Sequence, residues 1–456
     1  MTAELIDSGQ APIPRRPAGI SAVPLSAFQQ RIHHLCTAYE GTSSPCVFLN
    51  KRLHGPLATD AMVRAIGMVV DRHESLRAVI GDTESGPCQT FLPPGMHEVE
   101  HIDLSDLPPD EREQRLRDLL GARTKTLFDL RGGTDPLIRS ALIRLSETEH
   151  VLSIVMHHII ADGASSGILA SDLAACYRAA VQGGSPELPE LSIGYGDFAH
   201  WQRDGLAERV ASGLAFWRER LAGVTPLQLP TDFERPAQKA TRAAIVGHAI
   251  GADVVAEVER LARTSRCSTF MVLLAGYQTM LEKHSGIADI CVGTQVAART
   301  RVELEPVIGL FGNTLPMRCD LSGDPTFAEL LKRVRSMVLS ALTRQEVPFG
   351  SVVSHLDLPH DPSRTQVFQT IMALHTETGT DGMDLLGVKT EPAPAGMPQI
   401  LHDIVLDMWL RPKGLDTAWR YDTALFREET VAAWASSYER ILRAAVADPQ
   451  ARLSAL

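Results

Sequence analysis

The chain has no pair of cysteines at redox or metal-ligand spacing; its seven cysteines stand apart at positions 36, 46, 88, 176, 267, 291 and 319. An odd, scattered set without C-x-x-C fits reduced thiols rather than a disulfide framework, and it marks no thiol as a strong nucleophile. Long apolar runs are missing too, and none approaches the ~20 residues that a membrane span requires. The opening stretch carries Pro12, Pro14, Arg15, Arg16 and Pro17 but no apolar core, which excludes a signal peptide. No Lys/Arg stripe with interleaved aromatics occurs, and the formal charge of −11 disfavours phosphate, so nucleic acid is not an expected partner. A G-x-S-x-G elbow, a G-x-x-x-x-G-K-[ST] loop and a dinucleotide fingerprint are all lacking, which excludes a serine hydrolase of that kind and any nucleotide-driven activation step in this chain. A soluble, cytoplasmic protein is expected.

With 456 residues, 44% hydrophobic and 22% charged, the chain can bury a sizeable core in two or three units. Strand-like stretches (Ala141 to Leu145, Val151 to Met156, Ala244 to Ile250, Asp289 to Val292, Gln366 to Met372, Ile404 to Leu410) alternate with helix-like ones (Asp60 to Val70, Glu111 to Thr126, Val254 to Arg263, Phe270 to Leu281, Phe327 to Leu342, Glu429 to Val446). That alternation predicts an α/β fold. The clearest break between long elements is Gly183-Gly184-Ser185-Pro186-Glu187-Leu188-Pro189. The expected division is a flexible tail over 1–20, an N-terminal lobe over 21–184 and a C-terminal lobe over 185–456.

The stretch His157-His158-Ile159-Ile160-Ala161-Asp162-Gly163 concentrates proton chemistry. The apolar, β-branched run Val151 to Met156 before it predicts a strand covered on both faces. Asp162-Gly163 predicts a turn, after which Ser165 or Ser166 would cap a helix through Ile168, Leu169, Leu173, Ala174 and Tyr177. Neighbouring strand side chains point to opposite faces, so only one of His157 and His158 looks into a cavity unless the turn begins between them. The same divergence, with no third His or Cys at ligand spacing, argues against a metal.

Written as His-His-x-x-x-Asp-Gly, this stretch resembles the signature of the condensation domains of nonribosomal peptide synthetases, within the chloramphenicol acetyltransferase-like acyltransferases. The family's other motifs follow in order. Pro24-Leu25-Ser26-Ala27-Phe28-Gln29-Gln30-Arg31 resembles the first, and its Ser26 and Gln29 have capping-box spacing. Arg72-His73-Glu74-Ser75-Leu76-Arg77 matches the second, and Tyr195-Gly196-Asp197-Phe198-Ala199-His200-Trp201 the fourth, which begins the long helix between the family's lobes. Ile308-Gly309-Leu310-Phe311-Gly312-Asn313-Thr314, Gln345-Glu346-Val347-Pro348-Phe349 and Pro362-Ser363-Arg364 stand for the last three. Gly312, Gly350 and Thr365-Gln366 depart from the family pattern around the expected second-lobe channel, so substrate preference does not transfer with the resemblance.

The resemblance implies two chloramphenicol acetyltransferase-like lobes in a V, with one active site in a tunnel between them. It implies a free-standing condensation enzyme of natural-product biosynthesis. A separate carrier protein would deliver an acyl or aminoacyl thioester on its phosphopantetheine arm, an amine or alcohol would accept it, and no cofactor or metal would be bound. His158 takes the role of base or positioning group, and a base of this kind commonly contributes ~10²–10⁴-fold. His157 is assigned to packing beneath the site, and Asp162 to a structural ion paired across the lobes with Arg299 of Gly293-Thr294-Gln295-Val296-Ala297-Ala298-Arg299. Gly163 is either a close-approach residue with an oxyanion-binding amide or a turn glycine. Asn313 is placed in the cleft opposite His158, while Ser26, Arg31, Arg72 and Arg77 brace the first lobe and Tyr195 and Trp201 serve as core or hinge aromatics. The alternatives are an acyltransferase that esterifies a lipid or other soluble alcohol, and a catalytically silent recruitment module. Epimerising relatives carry late acidic and His motifs that are missing here, and cyclising relatives replace the histidines with aspartates.

Overall fold

The computed structural model describes residues 11–38, 45–84, 86–125, 127–239, 242–359, 361–375, 383–393 and 400–456. In chain order the elements are β1 (Val23–Pro24), α1 (Ala27–Ala38), β2 (Cys46–His54), α2 (Thr59–Arg72), β3 (Ala78–Thr83), β4 (Gly86–Phe91), β5 (Val99–Asp103), α3 (Pro109–Arg123), β6 (Ile138–Ser146), β7 (Glu149–His157), α4 (Gly163–Gln182), α5 (Tyr195–Arg203) and α6 (Leu206–Arg220). There follow β8 (Ala243–Gly251), α7 (Ala252–Thr264), α8 (Thr269–Ser285), β9 (Asp289–Val296), β10 (Asn313–Asp320), α9 (Phe327–Leu342), α10 (Phe349–Ser354), β11 (Thr370–His375), β12 (Lys389–Pro392), β13 (Ile404–Arg411), β14 (Gly414–Asp422) and α11 (Glu428–Ala447). The α/β alternation expected from the sequence is present.

The chain divides into two compact units. The first comprises Met1–Arg209, Ala297–Gly312 and Thr378–Gly396; the second comprises Val210–Val296, Asn313–Glu377 and Met397–Leu456. In the first, a five-stranded sheet of order β12-β2-β7-β6-β5 places β7 at its centre. Leu152, Ile154 and Met156 of β7 pack with Ile66 and Val70 of α2 and Leu169 and Leu173 of α4. On the other side, Val151 meets Leu116 and Leu120 of α3. Each fully buried aliphatic side chain contributes roughly 1.5–3 kcal/mol over an exposed one, so the strand that leads into the histidines is held rigidly. A smaller sheet, β1-β4-β3, completes this unit. In the second unit a six-stranded sheet of order β10-β9-β11-β13-β14-β8 pairs β11 in parallel with β13 and β9. Its aromatic centre is Tyr277 of α8, Trp419 of β14 and Tyr438 of α11, with ring centroids 5.8–6.1 Å apart.

Four expectations need correction. The break at Gly183–Pro189 ends α4 but not the first unit, because Tyr195, Phe198 and Ala199 of α5 bury with Phe28 and Phe311. Residues 11–20 are no loose tail, since Ile13 is buried and Arg16 makes two ion pairs; the remainder of the expected tail, 1–10, lies outside the described residues. The fourth motif opens two helices rather than one long one, with Gly205 at φ 77° between α5 and α6. The strand expected from Gln366 starts at Thr370, because Val367 adopts φ 71°, which no strand accommodates. Helix α3 ends at Arg123, and Thr126 of its expected span lies outside the described residues. No helix among the described residues is long and apolar enough to cross a membrane.

Candidate active site

β7 ends at His157 and the backbone turns at His158, so the two imidazoles have different environments. His157 is buried; its Nδ1 accepts the Ile159 N–H at 3.0 Å, which leaves the proton on Nε2, 3.8 Å from Cys36 Sγ. Burial, reinforced by the neighbouring His158 and His33, pushes its pKa down to about 3, and the ring is neutral. His158 is half-buried and is held by its own backbone, whose N–H donates to the Pro45 carbonyl at 2.8 Å. Its Nδ1 lies 2.7 Å from the Ala161 carbonyl oxygen. A carbonyl only accepts, so Nδ1 carries the proton and Nε2 presents a lone pair. The geometry sets the tautomer a base requires.

Asp162 is the N-cap of α4 and is buried. Its Oδ2 accepts from Arg299 Nη1 at 2.9 Å and from the Phe311 and Gly312 N–H groups at 3.0 Å each. Its Oδ1 accepts from the Ser165 N–H at 2.9 Å, the Ser165 hydroxyl at 2.8 Å and Arg299 Nη2 at 3.1 Å. Burial alone would raise its pKa; the charge and hydrogen bonds of Arg299, with those of Ser165, outweigh burial and hold it below the ordinary carboxylate value. With both oxygens so occupied, Asp162 has no free acceptor for a substrate proton. The helix cap is Asp162 rather than Ser165 or Ser166, and Ser165 closes the capping box from the third helical position.

Apart from Ser165 of α4, the donors to Asp162 come from the excursion Ala297–Gly312, which groups with the first unit although it links β9 to β10. The Asp162–Arg299 pair therefore lies within one unit instead of joining two, because Leu304, Val307, Leu310 and Phe311 of the excursion bury against Tyr195 and Phe198. The second motif grips the same segment. Ser75 Oγ donates to the Ile308 carbonyl at 2.7 Å, and His73 and Arg72 both reach Asp172 Oδ2, at 2.8 and 2.9 Å. Tyr195 donates its hydroxyl proton to the Leu310 carbonyl at 2.7 Å, and its ring stands where a Cβ on residue 309 would be, so that position requires glycine. Below the turn, Gln29 Nε2 donates to the Ile159 carbonyl at 3.0 Å and exchanges hydrogen bonds with Gln89. The first, second, fourth and fifth motifs thus converge on the turn that carries the histidines.

The family model for the condensation domain matches residues 20–456. This chain belongs to the condensation domain family. It is 37% identical over 437 residues to one of the linear gramicidin synthase proteins of Brevibacillus parabrevis, a match covering 95% of this chain and 8% of that one. It therefore spans under a tenth of that relative. Among solved structures it resembles the X-domain from teicoplanin biosynthesis, with a TM-score of 0.85 and 30% identity over 97% of this chain and 98% of that one. It also resembles SgcC5 from Streptomyces globisporus, with a TM-score of 0.72 and 29% identity over 94% of this chain and all of that one (100%).

The remaining expected site residues of this condensation domain take varied places. Gly163 is exposed at the start of α4, has no positive φ, and would meet nothing within 4 Å if it carried a Cβ. Neither backbone strain nor protein packing requires glycine there. Asn313 is buried, and its side chain is spent within the second unit: Nδ2 donates to the Gln345 and Val347 carbonyls at 2.8 and 2.7 Å, and Oδ1 accepts the Phe349 N–H at 3.0 Å. It locks β10 to the loop before α10, and both of its amide protons are taken up there. Arg72 and Arg77 brace as expected; Arg77 Nη1 donates to the Leu92 carbonyl. Sequence reasoning missed Asp172, Glu74 and the amides of Phe311 and Gly312. Only Ser165 carried a readable signal, its three-residue spacing from Asp162. Burial raises the Cys36 and Cys46 thiols to about 11 and about 12, far from nucleophilic, and no metal-holding group of His, Cys, Asp and Glu occurs among the described residues.

Proposed function

We propose that this condensation domain joins a carrier-tethered acyl or aminoacyl thioester to an amine or alcohol, with His158 as the group that receives or orients the nucleophile's proton. The observation that carries the reading is the Nδ1–H bond to Ala161, which turns the basic Nε2 away from the backbone. As the nucleophile attacks the thioester carbonyl, its proton passes to Nε2. The tetrahedral intermediate then collapses with cleavage of the C–S bond, and the departing thiolate takes the proton back. The product is an amide or ester plus the free carrier thiol, and the thioester supplies all the driving force needed.

Asp162 and Arg299 act as architecture in this proposal. The open space around Gly163 leaves room for the reacting carbonyl near the first amide of α4. A two-lobed V with a substrate tunnel belongs to the same reading, as do a carrier partner and a role in peptide natural-product biosynthesis like that of the synthetases it resembles. A second reading, a module that binds a partner protein without catalysis, draws on the likeness to the teicoplanin X-domain, which has been solved in complex with OxyB. The deciding experiment presents carrier proteins loaded with aminoacyl and aryl thioesters to panels of amines and alcohols, with product mass as the readout. Product from wild type and none from His158→Ala supports condensation. Absence of product from every pair, with carrier binding intact, overturns it in favour of the binding module.

A further inference from the structure

The segment 11–16 is joined to the excursion that holds Asp162. The Ile13 N–H donates to Glu303 Oε1 at 3.0 Å, and Arg301 Nη1 donates to the Ala11 carbonyl at 2.6 Å. The Ile13 side chain, 4% exposed, buries in the cluster that contains Leu304, Val307, Leu310 and Phe311. At its other end Arg16 is tied down independently: its backbone N–H and Nη1 donate to Asp197 Oδ1 at 3.1 and 2.9 Å, and its Nη1 and Nη2 donate to Glu74 at 3.0 and 2.8 Å. Arg301 and Glu303 follow Arg299 by two and four residues. Immediately before Arg299, Ala298 adopts φ 47°. A residue with a Cβ holds that left-handed conformation only where its surroundings impose it.

We propose that residues 11–16 form a positioning strap for the site. Docked, the strap holds the excursion in the strained conformation from which Arg299 and the Phe311 and Gly312 amides grip Asp162, and through it the turn of His158. Undocked, the excursion relaxes at Ala298 and those donors withdraw. The strap touches no reacting atom, and Ile13 and Glu303 act through Arg299. Its effect on turnover rests on the function proposed above, whereas its effect on the amides does not.

The test compares wild type with a protein lacking residues 1–14, with Glu303→Ala and with Glu303→Gln, each made with and without Ala298→Gly. Amide hydrogen exchange is read at Phe311 and Gly312, with β6 and β7 as internal reference. Exchange at the two amides is expected to rise about tenfold or more in the truncated protein and in Glu303→Ala, with β6 and β7 unchanged. Glu303→Gln keeps an oxygen for the Ile13 N–H and should exchange like wild type, and Ala298→Gly should recover part of the loss by removing the strain. In the carrier assay kcat should fall in the same order. Unchanged exchange at Phe311 and Gly312 overturns the proposal. So does equal acceleration in β6 and β7, which would mean general destabilisation, and so does a loss that Ala298→Gly leaves untouched. Should no acceptor react with wild type, the exchange pattern alone still decides.

Discussion

Arg299 holds Asp162 in a two-pronged grip, Nη1 on Oδ2 at 2.9 Å and Nη2 on Oδ1 at 3.1 Å, with both side chains almost fully buried. The planar guanidinium fixes both carboxylate oxygens at once, and Asp162 in turn caps the helix that follows the histidine turn. Removing Arg299 leaves a buried carboxylate with amide and hydroxyl donors but no countercharge. Arg299→Ala is expected to cost about 3–5 kcal/mol and to lower Tm by several degrees, checked by thermal unfolding. Arg299→Lys keeps the charge without the fork and should lie between the two. A melting temperature equal to wild type in Arg299→Ala would show that the pair does not hold the turn.

Among the described residues, the His158 side chain makes one hydrogen bond, that to Ala161. His158→Ala should therefore leave Tm within about a degree of wild type while reducing turnover by at least ~10²-fold. The loss should be greater for alcohol than for amine acceptors, because an amine attacks before it gives up its proton. Turnover near wild type with either acceptor would remove the assigned role.

His157 yields a pH signature. Its pKa is depressed by burial to about 3 in the folded chain, against an ordinary value near 6.5 when unfolded. Between those values the unfolded chain binds a proton that the folded chain refuses, so stability rises with pH across that window and falls as pH drops from 6.5. The slope from this one group approaches ~1.4 kcal/mol per pH unit. Unfolding by urea between pH 6.5 and 5, where carboxylates contribute little, should show a shallower slope for His157→Asn than for wild type. Parallel slopes would mean that the imidazole is solvated.

Asn313 predicts a stability effect without a site contact. Asn313→Ala strands the Phe349 N–H and two carbonyls in a buried place, each such orphan costing about 1–3 kcal/mol. The midpoint of unfolding should fall, and the donor KM of the protein that remains folded should not move. A raised KM at constant Tm would return Asn313 to the substrate.

Much of this was written in the order of residues. The apolar run Val151 to Met156 predicted the central strand because a strand buried on both faces needs no polar alternation, and β7 covers it. The divergent fates of His157 and His158 follow from the same geometry, one buried at the end of the strand and one in the turn. The opening Ser26 and Gln29 read as a capping box, and the structure shows both reciprocal bonds, Ser26 N–H to Gln29 Oε1 at 3.0 Å and Gln29 N–H to Ser26 Oγ at 3.1 Å. Local pattern suffices where the determining forces act between residues a few positions apart.

Contacts across long stretches of chain were not legible. The side chains of Arg299 and Asp162 are separated by 137 positions, and no periodicity states that the excursion Ala297–Gly312 packs with the first unit. The strap over 11–16 read as a proline-rich tail because its own residues form no regular element; its order comes from Glu303, Asp197 and Glu74, 290, 181 and 58 positions away. Likewise the motif named Asn313 without its partners, and only the fold supplies the carbonyls of the loop before α10 to which its amide donates. Residue order was enough for the central strand, the histidine turn and the family. The folded chain had to select the groups that satisfy the buried charge of Asp162, because desolvation forces a carboxylate to find partners wherever the fold can supply them.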